Sequence, residues 1–452
     1  DDFRPLDRWI AVMDGLLAQR PAFADPAHEA RVLSSLAIAL VYRQPFHPAI
    51  AQVLERLYAL LDELADVNVR TTVATRLMDA CTRVGSFARS AALAARIRES
   101  LAHPDLAPVH QAWSRVWLAN QMYFEARLDE FDAILKEALV LADAHGFAYI
   151  RAVVITFRAY GYLVRGNVRD AAPLLAEQRA SVDTSRRVDV ALCAFLESWA
   201  ALCRGDPAAA ERHGRSAPDL SLQTGSVASG LICHAVLLVV LETTGQHAEA
   251  EGVLHRMRGF AAGVPPGVLR FHALLCDACV QLRDAPEALE TLAEALAIGR
   301  AQGYLNGYFW WPPLLSRLCA RALEAGIEAD YVKRLILERG LAPPDDAAPA
   351  QWPWAVEVRA LGGFTVRSRG EPLAFSGKAQ KKPLELLKAL VALGGRGVDW
   401  PRLAAILWPD AGGDAAKVSF DSTLYRLRKL LGTETALALQ EGKLSLDPRQ
   451  CW

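Results

Sequence analysis

The sequence predicts a mainly α protein: a long helical repeat array followed by a small α+β domain. Three observations carry this. Residues 1 to 342 lack strand-like alternation and are rich in Ala, Leu and Arg, which favours helix. A turn-plus-alanine pattern recurs through them. From about Pro353 onward the pattern changes to strand, strand, helix, helix, basic helix, hairpin.

The repeat is clearest in Gly166-Asn-Val-Arg-Asp-Ala171, Gly205-Asp-Pro-Ala-Ala-Ala210 and Gly245-Gln-His-Ala-Glu-Ala250. Weaker copies place the equivalent alanine at Ala49, Ala91, Ala133 and Ala288, so successive alanines stand 42, 42, 38, 39, 40 and 38 residues apart. A period near 40 with a helix pair per repeat means an α-solenoid, because one pair cannot cover its own apolar face and stacked neighbours can. Hydrophobic residues make up 52% of the chain, enough for that core. An elongated array is expected. Gly307–Leu315, Ala320–Ile327 and Tyr331–Leu337 read as its capping helices. Residues 343–352, short, Pro-rich and aperiodic, read as an interdomain linker.

In the last segment Val356, Val358, Phe364 and Val366 alternate around Gly362-Gly363, and Gly370-Glu371-Pro372 reads as a turn. A helix is expected from Pro383 to Leu393, with Leu384, Leu387, Leu390 and Val391 inward and Pro383 in the first turn. A shorter helix follows, with Asp399 as cap, Leu403, Ile406 and Leu407 inward, and Trp408-Pro409 as its stop. The third helix runs from Asp414 to Leu431. Phe420, Leu424, Leu427 and Leu431 form one stripe, and Val418, Ser422, Tyr425, Arg426 and Lys429 fall opposite. Ala436–Leu446 alternates around Glu441-Gly442 as a two-stranded ribbon, with Lys443 beside its tip. Arg428, beside Lys417, is expected to pair with an acid such as Asp421.

This order reads as a winged helix. It resembles the winged helix of OmpR-type response regulators, and more closely that of antibiotic-pathway regulatory proteins. The matching residues are Leu361-Gly-Gly-Phe364, Lys381-Lys-Pro-Leu-Glu-Leu-Leu387, Leu407-Trp-Pro-Asp410, Leu424-Tyr-Arg-Leu-Arg-Lys-Leu-Leu431 and Leu444-Ser-Leu-Asp447. The resemblance implies that the third helix enters the DNA major groove and the hairpin meets the neighbouring minor groove. It also implies a few residues beyond Cys451-Trp452. The repeat array resembles the tetratricopeptide-like sensor domain of maltose-regulon-activator-type bacterial regulators. That resemblance implies an ATP-binding switch domain upstream of Asp1.

The expected architecture is therefore a tetratricopeptide-like α-solenoid sensor (1–342), a linker (343–352) and a winged-helix DNA-binding domain (353–452). The expected function is a bacterial, cytoplasmic transcription regulator that senses a small molecule or a protein. Its partners are double-stranded DNA and RNA polymerase or another protein. Val418, Ser422, Tyr425 and Arg426 are the candidates for base contact, and Lys381, Lys382, Lys429 and Lys443 for phosphate. Charge agrees with this: residues 353–452 hold 15 Lys and Arg against 10 Asp and Glu, formally +5, on a remainder that is formally −6. The alternative is a protein-interaction scaffold whose winged helix does not bind DNA.

No apolar run reaches the ~18–20 residues of a membrane span, and no signal peptide is recognised. No GxxxxGK[ST] loop, HExxH, GxSxG or GxGxxG occurs in a supporting context, so no enzyme, nucleotide, cofactor or metal is expected. The eight cysteines lack framework spacing, and Cys276-Asp-Ala-Cys279 is half of a zinc site at most. Trp113, Trp117, Tyr123 and Phe124, and Tyr304 and Tyr308–Trp311, read as fillers of helix–helix gaps, with a ligand surface as the alternative. His103, His110, His145, His234 and His272 read as satisfied core or surface groups.

Overall fold

The computed structural model describes residues 3–19, 23–282, 288–344, 349–373, 378–433, 436–447 and 450–452. The chain divides into two compact units, 1–311 and 312–452.

Among its described residues, the regular elements of the first unit are all helices. Its elements are α1 (Leu6–Ala18), α2 (Pro26–Arg43), α3 (Ile50–Leu60), α4 (Val67–Val84), α5 (Phe87–Ser100), α6 (Pro108–Phe124), α7 (Leu128–His145), α8 (Ala148–Leu163), α9 (Val168–Ser181), α10 (Arg187–Arg204), α11 (Pro207–Thr224), α12 (Val227–Thr243), α13 (His247–Ala261), α14 (Val268–Gln281) and α15 (Ala288–Gln302). Each even-numbered helix from α2 packs on the next helix as an antiparallel pair, and successive even-numbered helices also touch. No described helix is long and apolar enough to cross a membrane.

The repeat has a local cause. The two helices of a pair are joined through a residue at positive φ: Gly85, Ala126, Gly166, Gly205 or Gly245. Five residues after it a side chain is buried against the partner helix: Ser90, Phe131, Ala171, Ala210 or Ala250. These positions stand 41, 40, 39 and 40 residues apart. They correct two copies taken from the sequence, since Ala91 and Ala133 are exposed and Ser90 and Phe131 hold their place. Alanine is too common here to mark the register unaided. A bulky Phe131 is accommodated because Gly161 on α8 offers no Cβ, which would lie 2.5 Å from Phe131 Cε1.

The array is not simply extended. α2 meets α12 and α4 meets α14. Phe3 N–H donates to Thr224 O at 2.6 Å, and Arg43 Nη1 to Gly225 O at 2.9 Å. The unit curls until early and late pairs touch, against the expectation of an elongated solenoid. Gly267 permits the closest approach, since a Cβ there would lie 2.0 Å from Arg83 O.

Residues after α15 do not start a cap. Tyr304 to Trp310 form a buried irregular strip. Leu305 N–H donates to Phe124 O at 2.8 Å, Tyr304 Oη to Thr82 O at 2.9 Å, and Asn306 Nδ2 to Tyr123 O at 3.2 Å. Helix resumes only in the second unit, with α16 (Pro312–Glu324) and α17 (Ala329–Arg339). The division thus falls ahead of these helices, upstream of the expected linker. Part of that linker, 345–348, lies outside the described residues, and its last residue Trp352 is buried.

The rest of the second unit contains β1 (Val356–Arg359), β2 (Thr365–Ser368), β3 (Glu371–Pro372), α18 (Lys378–Ala392), β4 (Val398–Asp399), α19 (Trp400–Leu407), α20 (Gly413–Leu431), β5 (Leu437–Gln440) and β6 (Lys443–Leu446). One sheet has the order β1-β2-β3, antiparallel, with Val356 opposite Ser368 and Ser368 opposite Glu371. Its second turn is Arg369-Gly370, so Glu371-Pro372 is strand rather than turn. Cys451 adds a parallel bridge to Val356. The other sheet has the order β4-β6-β5, so the expected ribbon gains a third strand. Glu441 and Gly442 both take positive φ, as a two-residue turn matching strand twist requires.

Val356, Val366, Leu386, Leu387, Leu390, Leu403, Leu407, Phe420, Leu424, Leu427, Leu431 and Leu444 close one core. The expectations for α18 and α19 need correction. α18 begins at Lys378, so Pro383 lies inside it and withholds a helical donor there. Leu386 takes the buried place expected of Leu384, and Val391 is only half-buried. Ile406 is 54% exposed, and Asp399 stands at the N-cap of α19 without a side-chain capping bond.

Candidate functional site

Two places can carry function: the outer face of α20 and a cavity inside the first unit. α20 is anchored by Phe420, Leu424, Leu427 and Leu431, all buried. That turns Val418 (71% exposed) and Tyr425 (64% exposed) outward, with Ser422, Arg426 and Lys429 also exposed. Lys381 and Lys443 are exposed as well. Arg426, Lys429, Lys381 and Lys443 have no carboxylate within ion-pair distance among the described residues.

Lys382 differs from them. Its Nζ donates to Leu407 O at 2.8 Å, pairs with Glu385 at 3.0 Å and lies 5.7 Å from the Trp408 ring centroid. It fastens α18 to the end of α19, so it is not a free cation for phosphate. The expected partner of Arg428 is also corrected. Lys417 takes Asp421, and Arg428 Nη2 donates to the carbonyl of Leu437 at 2.7 Å, tying α20 to the hairpin.

The cavity is about 700 Å³. It is built from one face of several even-numbered helices. On α4, Arg76, Asp79 and Arg83 line it; on α6, Trp113, Trp117 and Asn120; on α8, Tyr149, Val153, Phe157 and Tyr160. The spacings are three, four and seven residues, a single helical stripe each time. Tyr42 on α2, Gln178 on α9, Val188 and Leu192 on α10, Ile232 on α12 and Tyr308 also line it. Trp113 and Trp117 meet edge-on at 6.1 Å, and Trp117 meets Phe157 edge-on at 6.4 Å. Part of the aromatic set expected to fill gaps therefore borders open space, while Tyr304, Phe309 and Trp310 do pack into the core.

One wall is charged. Asp79 and Arg83 are buried 2.9 Å apart, and Arg83 also donates to Tyr308 Oη at 3.0 Å and Tyr42 Oη at 2.8 Å. Its guanidinium lies 4.1 Å from the Tyr42 ring centroid. Burial raises the Asp79 carboxyl despite Arg83 beside it. Burial pulls the Arg83 pKa down, but Asp79, Tyr308 and Tyr42 together hold it above its ordinary value. Burial pushes Tyr308 up to about 12, with Arg83 opposing. Nearby, His272 has its Nδ1 buried without a hydrogen-bond partner, so it is not the satisfied group expected. Among the described residues no cluster of His, Cys, Asp and Glu could hold a metal ion.

The fold and cavity define a helical-repeat protein with a walled interior. A solved structure titled as a Rap protein complexed with Competence and Sporulation Factor is similar, with TM-score 0.56, 12% identity, 75% of this chain and 93% of that chain covered. A structure of NprR in complex with its cognate peptide NprX, at 11% identity over 70% of this chain and 88% of that one, gives TM-score 0.41. The apo form of the quorum sensor NprR from B. thuringiensis, at 11% identity over 70% of this chain and 100% of that one, gives 0.33. No protein-family model and no curated protein matches the chain. The first likeness establishes the fold alone: a tetratricopeptide-like α-solenoid, here followed by a small α+β domain.

Proposed function

We infer that the chain is a DNA-binding transcriptional regulator. Residues 353–452 act as a winged helix of the OmpR-like kind, with α20 in the major groove. The solenoid receives a signal in its cavity. The observation that carries the DNA reading is the outward face of α20, where Val418, Ser422, Tyr425, Arg426 and Lys429 stand exposed over a fully locked inner face. This mixture of methyl, hydroxyl and cation suits base edges and phosphates. Lys381 and Lys443 supply further phosphate contacts. The signal reading is supported by the cavity and by the similar Rap protein, which is complexed with Competence and Sporulation Factor. RNA polymerase or another protein is the partner through which bound DNA would be acted on. No catalytic role is proposed.

The rival is a scaffold that does not bind DNA. It would be favoured if a partner covered α20, and within the second unit that face is exposed. A gel shift against a promoter-fragment library tests the reading. Expected is a specific shift that Arg426→Ala and Lys429→Ala together abolish while folding stays native. Unchanged binding in that variant transfers the case to the scaffold.

A further inference from the structure

Arg76 stands apart from the other charges of the cavity. Asp79 and Arg83 neutralise each other at 2.9 Å, and Arg186 is held by Asp189 at 2.7 Å. Asp183 lies on the exposed rim and accepts from the Ser185 backbone N–H and hydroxyl. Among the described residues Arg76 donates only to hydroxyls, with Nη1 reaching Ser35 Oγ at 3.0 Å and Ser34 Oγ at 3.2 Å. No carboxylate lies within ion-pair distance of it among the described residues. Burial lowers its pKa, and no carboxylate opposes this. A half-buried cation without a counter-ion is an unfavourable arrangement that a ligand anion would relieve. The planar fork of a guanidinium matches a carboxylate in two hydrogen bonds.

A second, independent group points inward. Gln178 is 9% exposed, and its Nε2 donates to Thr156 Oγ1 at 2.9 Å. Its Oε1 is buried with no hydrogen-bond partner. Thr156 passes its own proton to Ala152 O at 3.0 Å, which fixes the amide in this sense. Gln178 therefore offers an unused acceptor at the cavity wall. The rings of Trp113, Trp117 and Phe157 line the same cavity.

We propose that the cavity binds a ligand with an apolar, aromatic body and one carboxylate, which docks on Arg76. The body lies against Trp113, Trp117 and Phe157, and an N–H or O–H of the ligand is accepted by Gln178. About 700 Å³ suits a molecule of drug-like size or a very short peptide, within the ~300–1,000 Å³ of such sites. The inference rests on the reading of this cavity as the signal site. It goes further by naming the chemistry that site selects.

The test uses 1-naphthylacetate and its uncharged counterpart 1-naphthylacetamide, with calorimetry on the full chain in the absence of DNA. Expected is binding of the acid at least about tenfold tighter than the amide, the scale of one charge-assisted hydrogen bond. Arg76→Met should bring the acid down to the amide while leaving the amide unchanged, and Arg76→Lys should keep part of the preference. A short apolar peptide with a free C-terminal carboxylate that binds tighter still, and loses that gain in Arg76→Met, supports the same contact and assigns the carboxylate to a chain end. Equal binding of acid and amide, equal weakening of both by Arg76→Met, or no binding of any probe overturns the proposal. The regulatory reading fails separately: if naphthylacetate binds through Arg76 but leaves the DNA gel shift unaltered, the site stands and its role as signal receptor does not.

Discussion

A methyl group at Gly161 would sit 2.5 Å from Cε1 of Phe131, inside any tolerable carbon–carbon contact. Both residues lie at helix-pair interfaces, and the phenylalanine fills a place that alanine fills in later repeats. Gly161→Ala should destabilise the first unit by about 1–3 kcal/mol through overpacking, read as a lower denaturant midpoint. Phe131→Leu in the same chain should recover part of the loss. A double variant no better than the single one would show that the two side chains are not the source. A second residue sets a pH dependence. Burial lowers His272 from 6.5 to about 4. A base whose pKa falls on folding binds fewer protons in the native state, so stability rises with pH. Its contribution is complete above about pH 6.5 and is lost as pH falls toward 4, by about 3 kcal/mol. His110, His213 and His234 are lowered by burial too and act in the same sense. Denaturation at pH 7 and pH 5 should show the loss, and His272→Leu should reduce it. An undiminished loss in that variant would clear His272.

At the scale of elements, α20 was legible in the sequence and its surroundings were less so. Its inner stripe is apolar at every turn and its outer face mostly polar, with Val418 the exception, so period alone orients it. The same logic of pattern, here alternation, placed the Glu441-Gly442 turn, where Gly442 suits positive φ and Glu441 adopts it against the usual preference for Gly, Asn or Asp. It failed for α18, where Pro383 suggested a start and the helix begins at Lys378. It failed for Lys382 and Arg428 because both bond to backbone carbonyls, of Leu407 and Leu437, which no residue type announces. These differences separate the mutational outcomes. Leu424→Ala should cost about 2–5 kcal/mol by emptying a buried place. Arg426→Ala and Lys429→Ala should leave stability nearly native. If α20 reads DNA, Arg426→Ala relaxes preference at one base position by about 1–3 kcal/mol, while Lys429→Ala weakens all sequences alike and lowers the salt slope by about one. Lys382→Ala should leave that slope unchanged and lower stability instead. Titration of matched and mismatched sites at several salt concentrations distinguishes these outcomes, and a slope that falls in Lys382→Ala would return that residue to the phosphate set.

For the whole molecule, the repeat period announced a solenoid, but neither its curling nor its cavity could be read. The cavity draws on α2, α4, α6, α8, α9, α10, α12 and Tyr308, and elements as far apart in the chain as α2 and α12 meet there only through the superhelix. Each helix contributes an aromatic or charged stripe that, taken singly, looks like an ordinary core face. Charge is a property of the whole that the sequence does display. Residues 1–311 are formally −5 and residues 312–452 formally +4. If the second unit binds DNA, the acidic first unit opposes the approach of a polyanion at long range without touching it. The second unit alone should then bind nonspecific duplex DNA more tightly than the full chain at low salt, where the Debye length is about 30 Å at 0.01 M. The gap should close toward 0.15 M, where screening shortens that length to about 8 Å. At the higher salt both proteins should show the same slope, because the phosphate contacts of Lys381, Lys429 and Lys443 belong to the second unit in either case. Circular dichroism of the isolated unit must first show its helices intact. A persistent gap at high salt would mean that the first unit acts on DNA binding by a short-range contact, and no gap at any salt would remove its charge from the account.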